Sequence, residues 1–218
     1  MMPTVASPRR IEAVHERFRR LYGDQADKCL DRFLMQLGRY EVNGSRMTAH
    51  EPHWSERDAF LITYGDMVKA DGVSPLAALR QFLNQHVKGA ISTVHLLPFF
   101  PYSSDDGFSV IDYRAVDVAL GEWEDVRAIA SDFKVMFDLV LNHCSRASGW
   151  FQAFVAEIAP QRGYFIEVAP GTDLSAVVRP RVHPLLTRVQ TRTAERWVWT
   201  TFSSDQMDLN FANPDVLF

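Results

Sequence analysis

Three short stretches carry the side chains that could do chemistry. Asp105-Asp106-Gly107-Phe108 presents two carboxylates and an aromatic ring around a glycine. Residues 135–145, VMFDLVLNHCS, set Asp138 inside an apolar run and then close it on Asn142 and His143. A lone carboxylate in a buried strand is costly unless it is hydrogen-bonded or paired, so Asp138 requires a partner or a task. Residues 178–181, VRPR, add the guanidinium groups of Arg179 and Arg181, which suit bidentate contact with phosphate or carboxylate and could equally be solvated charges. Carboxylates and a histidine on one site could bind a divalent ion. Asp105, Asp106 and His143 follow no recognised ligand spacing, which disfavours a metal-dependent hydrolase. Asp105 and Asp106 also suit an ordinary turn before Gly107.

Positioning such residues takes a frame, and the rest of the chain predicts one. Short apolar runs at 60–65 (FLITYG), 93–100 (TVHLLPFF) and 135–145 read as strands. Helix-length segments separate them. Ser74-Pro75 opens a helix running to about His86, with Pro at the first helical position, and a second helix spans about Trp123 to Phe133. Strand centres near Ile62, His95 and Asp138 lie 33 and 43 residues apart, the repeat of right-handed βαβ units in a parallel sheet. Such a sheet is expected to be buried on both faces, with its working residues at the C-terminal strand ends. Tyr64-Gly65-Asp66, the Ser/Asp/Gly-rich loop around Asp105, and Asn142-His143 fall at those ends.

Before the strands, Ile11, Val14, Phe18 and Leu21, then Leu30, Phe33, Leu34 and Leu37, have the spacing of two amphipathic helices divided at Gly23. They predict a helical hairpin whose apolar stripe packs on the main domain. The polar stretch GSRMTAHEPHWSERD reads as a linker. Beyond His143 the pattern loosens into a short helix (SGWFQAFVAEI), YFIEV, RWVWTTF and DQMDLNFANPDVLF, a small subdomain inserted after strand three, with a helix beginning at Asn213-Pro214. The domain boundaries are therefore 1–45, 46–143 and 144–218.

Composition excludes several classes. A hydrophobic fraction of 47% with 23% charged residues belongs to a packed chain. The net charge of −4 argues against nucleic acid as a partner. Cys29 and Cys144 form no paired spacing, so neither a disulfide framework nor a zinc site is signalled. The N-terminus lacks a secretory apolar core, and no uncharged apolar run reaches the roughly 18 residues of a spanning helix. A cytoplasmic protein without a membrane partner is expected.

The motifs also carry a resemblance. DLVLNHCS resembles the first signature of the α-amylase superfamily, glycoside hydrolase family 13, in which a strand aspartate is followed by Asn-His; DQMDLNFANPDVL resembles the segment that closes that superfamily's small domain. The ordered run LITYGD, HLLPFFPYSSDDGFSVIDY, GEWEDV, FDLVLNH, DLSAVVRPR and WTTFSSDQMDLNFANPDVL, over about residues 58–218, is similar to the sucrose phosphorylase branch and its glucosylglycerate-directed relatives.

The fold implied is α/β: about three of the eight strands of a (β/α)8 TIM barrel, preceded by the helical hairpin and followed by the small subdomain. The activity implied is glucosyl transfer from an α-glucoside, sucrose or glucosylglycerate-like, to inorganic phosphate with retention, and neither cofactor nor metal is expected. Retention takes two carboxyl groups about 5–5.5 Å apart. In this superfamily the nucleophile arrives in a Gly-x-Arg-x-Asp motif on strand four and the acid/base glutamate on strand five. No such motif occurs in these 218 residues. No catalytic residue is therefore expected in the chain, which should be inactive alone.

By resemblance, Asp105 accepts hydrogen bonds from sugar hydroxyls, Phe108 is an apolar platform, and His143 bonds the primary hydroxyl. Arg181, with Arg179 beside it, faces phosphate or glycerate, and Phe202 and Gln206 occupy the acceptor side. Asp138, Asn142 and Asp208 support the wall, with Asp138 answered by an arginine on strand four. The other class of function left open is a non-catalytic sugar-binding or interaction module. An open three-stranded sheet would also favour self-association through its edge.

Overall fold

The computed structural model describes residues 7–42, 55–56, 58–178 and 181–218. Most of the expected linker lies outside the described residues, as does Arg179. Helix α1 (Pro8–Tyr22) begins with Pro in its first turn, where the missing N–H costs nothing. It ends at Gly23, whose φ of 53° suits a residue without a Cβ and whose N–H bonds back to the Arg19 carbonyl. Helix α2 (Ala26–Val42) follows.

The expected hairpin is present, with one correction to its stripe. Leu21 is 66% exposed, whereas Phe18, Ala26 and Cys29 are buried, with Val14, Tyr22, Leu30, Phe33 and Phe218 packed around them. The row Val14–Phe18–Tyr22 repeats every four residues and faces α2, which turns Leu21 outward. The hairpin and Asn210–Phe218 form one compact unit, and residues 54–209 form another.

In that second unit the apolar runs form the expected parallel sheet. Strand β1 (Phe60–Thr63) is followed by helix α3 (Pro75–His86), strand β2 (Thr93–Leu96), helix α4 (Trp123–Asp132) and strand β3 (Lys134–Phe137). The order is β1-β2-β3, with Ile62, His95 and Met136 in register. Ser74 caps α3 by accepting the Ala77 N–H at 3.2 Å, and its hydroxyl reaches Asp125 in the first turn of α4 at 3.1 Å. Leu76, Leu79 and Leu83 of α3 and Val126 and Ile129 of α4 bury against Val94 and Leu96 of β2 and against Phe99.

Among the described residues only one face of the sheet is covered, contrary to the expectation of two. Right-handed crossovers put both helices on the same side. On the other side Ile62 is 62% and Met136 44% exposed.

The third apolar run is also not one strand. Strand β3 stops at Phe137, Leu139 is 80% exposed, and His143–Ser145 form strand β4 in a separate antiparallel pair. Beyond it lie helix α5 (Gly149–Val155), the hairpin of strand β5 (Leu186–Gln190) and strand β6 (Glu195–Trp199), and strand β7 (Gln206–Asp208), which is the partner of β4. Phe151, Phe154 and Phe165 form the buried aromatic centre of this region. The β4–β7 ladder sets His143 opposite Asp208 and Ser145 opposite Gln206. Asn213 accepts the Asp215 N–H at 3.0 Å and caps the turn Pro214–Val216, which is of 3-10 form.

Candidate active-site cleft

The loop after β2 is held in an uncommon backbone conformation. Asp105, Asp106 and Gly107 have φ of 57°, 50° and 101° in succession. Left-handed backbone at a non-glycine residue costs about 1–3 kcal/mol, and Asp tolerates it better than most. A Cβ at Gly107 would meet the Pro98 carbonyl oxygen at 3.0 Å. The turn reading of Asp105 and Asp106 therefore describes the backbone correctly, and the same turn delivers both side chains to a cleft.

That cleft, about 480 Å³, sits at the C-terminal ends of β1, β2 and β3, and Tyr64, Asp105, Asp106, Phe108, Asp138, Asn142, His143, Arg181 and Phe202 line it together with Leu139 and Val140. Of the residues singled out from the sequence, Asp105, Phe108, Asp138, Asn142, His143, Arg181 and Phe202 thus share one wall. Gln206 lies behind it, 1% exposed, its amide nitrogen donating to an Asp105 carboxylate oxygen at 2.8 Å. Asp208 is placed differently. It is buried and accepts the Thr201 N–H at 3.1 Å and the Thr201 hydroxyl. Burial raises its pKa, against the Thr201 bonds and the nearby His143.

His143 is 5% exposed and packs against Phe202 with ring centroids 5.0 Å apart. Its Nε2 is 3.0 Å from the Phe108 carbonyl and 3.1 Å from the Gln206 amide nitrogen. The carbonyl can only accept and the amide nitrogen can only donate, so Nε2 bonds one of them at a time: protonated it gives to Phe108, unprotonated it accepts from Gln206. Nδ1 is buried with no hydrogen-bond partner among the described residues.

Asp138 has a partner within the chain, unlike the strand-four arginine expected for it. His95 Nε2 lies 3.0 Å from its carboxylate. His95 is in register with Met136, and Asp138 follows two residues later on the face away from α3 and α4.

Sequence reasoning missed His95, and it gave Asp106 and Tyr64 a place at the working strand ends without naming them as lining groups. Their signal was alternation along the strands and position at a strand end. Burial first, then the charges of Asp106, Asp105 and Asp138, raise the pKa of the Tyr64 phenol, which keeps it a neutral hydrogen-bonding group. The cleft therefore combines carboxylate acceptors, neutral donors, aromatic faces and one exposed guanidinium, Arg181. Among the described residues no cluster of three or more His, Cys, Asp or Glu could hold a metal ion. Asp105, Asp106 and His143 do not converge as a ligand set.

Residues 85–217 match the family described as alpha amylase, catalytic domain. The chain belongs to the alpha-amylase family. It is 50% identical over 213 residues to a glucosylglycerate phosphorylase of Allomeiothermus silvanus, covering 97% of this chain and 37% of that one. A glucosylglycerate phosphorylase of Escherichia coli is 49% identical over 166 residues, 76% of this chain and 30% of that one. A sucrose phosphorylase of Agrobacterium vitis is 38% identical over 162 residues.

The crystal structure of a sucrose 6F-phosphate phosphorylase from Thermoanaerobacter thermosaccharolyticum superposes with a TM-score of 0.68 at 28% identity, covering 79% of this chain and 37% of that one. The α/β architecture is thus part of an alpha-amylase-type TIM barrel, and the chain spans about a third of the length of the curated relatives it matches. No helix among the described residues is long and apolar enough to cross a membrane.

Proposed function

We propose that this chain supplies the glucose-recognition wall of a retaining α-glucoside phosphorylase, with a glucosylglycerate-like glucoside as donor and inorganic phosphate as acceptor. The observation that carries the proposal is the convergence of Asp105, Phe108, His143 and Arg181 on one cleft. A carboxylate accepting from sugar hydroxyls gains about 1.5–3 kcal/mol per hydrogen bond and rejects analogues that lack them. An aromatic face covers the apolar side of a pyranose, and an exposed guanidinium matches phosphate or the carboxylate of glycerate. The identity to glucosylglycerate phosphorylases over almost the whole chain supports the choice of donor.

A second reading is a sugar-binding module without turnover. The sequence contains no Gly-x-Arg-x-Asp to bring the nucleophile. The two readings share the wall and differ in chemistry. Assaying phosphate-dependent release of glucose 1-phosphate from glucosylglycerate and from sucrose separates them. No release by these 218 residues alone is the expected outcome. Turnover by them would place the bond-breaking carboxylates inside this chain and overturn the division of labour.

A further inference from the structure

The carboxylate of Asp205 stands apart from the residues that line the cleft. We propose that Asp205 is a positioning residue: it gathers three serine hydroxyls from both stems of the loop after β2 and so fixes the left-handed turn that presents Asp105 to the cleft. The contacts are specific. Asp205 Oδ2 accepts from Ser103 Oγ at 2.5 Å, Ser104 Oγ at 2.5 Å and Ser109 Oγ at 2.8 Å. Ser103 and Ser104 precede the turn and Ser109 follows it, so a single oxygen ties the two stems together. Ser103 Oγ also meets Ser145 Oγ of β4 at 2.6 Å, and Ser145 Oγ in turn accepts the Ala147 N–H at 2.8 Å. With one proton per hydroxyl, Ser103 gives its proton to Asp205 and receives that of Ser145.

The chain around Asp205 is itself fixed. Its carbonyl accepts the Arg146 N–H at 2.8 Å, and Gln206 N–H bonds to the Ser203 carbonyl at 3.0 Å. The next side chain, Gln206, donates to Asp105. Asp205 therefore holds the backbone of the loop while Gln206 holds the carboxylate at its tip.

Only an acceptor without hydrogens serves three donors at one oxygen, and an ionised one does so most strongly. Burial alone would raise the Asp205 carboxyl, but the three hydroxyls and the charge of Arg146 hold it below the ordinary value, so it is ionised at neutral pH.

The inference deepens the sugar-wall proposal and rests on it for function, but its geometry can be tested without sugar. The Ser103, Phe108 and Ser109 amides bond within the loop, to Ser109, Asp105 and Ser104 carbonyls respectively. Hydrogen exchange measured by NMR on the intact chain should show these three amides exchanging at least about tenfold faster in Asp205→Asn, with the Leu97 amide, bonded to Thr63 in the sheet, unchanged. Ser104→Ala, which removes one donor, should give a smaller acceleration in the same amides and carries the test if Asp205→Asn does not fold.

Glucose affinity supplies the functional half. Asp205→Asn should weaken it, and Asp105→Ala/Asp205→Asn should be no weaker than Asp105→Ala alone. Unchanged exchange in both variants, or an acceleration spread equally over the sheet, would overturn the positioning role. Full loop acceleration with no glucose binding by the unaltered chain would uphold Asp205 and sink the sugar-wall proposal instead.

Discussion

Asp138 shows what a single residue discloses and what it conceals. Its placement in an apolar run requires a partner on grounds of desolvation, and that requirement is legible in the sequence. The partner's identity is not, because it depends on strand register. Parallel pairing of β2 with β3 brings His95 across from Met136, and the next residue on that face is Asp138. Replacing His95 by Leu should lower stability by about 1–2 kcal/mol, since the carboxylate loses a hydrogen bond to a neighbour only 12% exposed. In an Asp138→Asn background the same replacement should cost distinctly less, and urea denaturation of the four proteins closes the cycle. Equal costs in both backgrounds would mean that the contact contributes nothing.

Elements were legible where local chemistry marks their ends and illegible where the apolar pattern runs past them. Ser74-Pro75 announces α3, and the helix begins at Pro75. Nothing marks the end of β3, because Leu139 and Val140 continue its apolar run while lining the cleft. Gly107 is an element-scale residue with little tolerance. At φ +101°, with the Pro98 oxygen 3.0 Å from a would-be Cβ, Gly107→Ala should destabilise the chain by about 1–3 kcal/mol in chemical denaturation.

Two carboxylates that tie elements together contribute to the response to acid. A hydrogen bond from Lys134 of β3, then one from the Ser55 backbone, holds Asp58, just before β1, down to about 2. Asn84 and Arg80 of α3 likewise hold Asp132, at the end of α4, down to about 2. Both folded values lie below the ordinary 3.8, so the stability they contribute is complete above that pH and is lost as pH falls from 3.8 through about 2. Melting temperature followed by circular dichroism should drop across that window, and Lys134→Ala together with Asn84→Ala should flatten the drop.

At the scale of the whole molecule, the repeat of strands and helices disclosed the barrel-type architecture, because two crossovers of the observed lengths admit few other topologies. The exposed face of the sheet was not disclosed. Ile62 and Met136 alternate like interior residues, and whether an interior is completed depends on further strands rather than on their own sequence. The chain spans 27–37% of the glucosylglycerate phosphorylases it matches, and the described part carries the cleft wall at the ends of three parallel strands.

The proposed assignment of this cleft to glucose is most directly tested by titrating the intact chain with glucose while the ring resonances of Tyr64, His143 and Phe202 are followed by NMR. Saturable shifts at these three residues, lost in Asp105→Ala, are predicted. Linear, unsaturating shifts up to high millimolar glucose, or saturation unaffected by Asp105→Ala, would contradict the assignment of this cleft to the sugar.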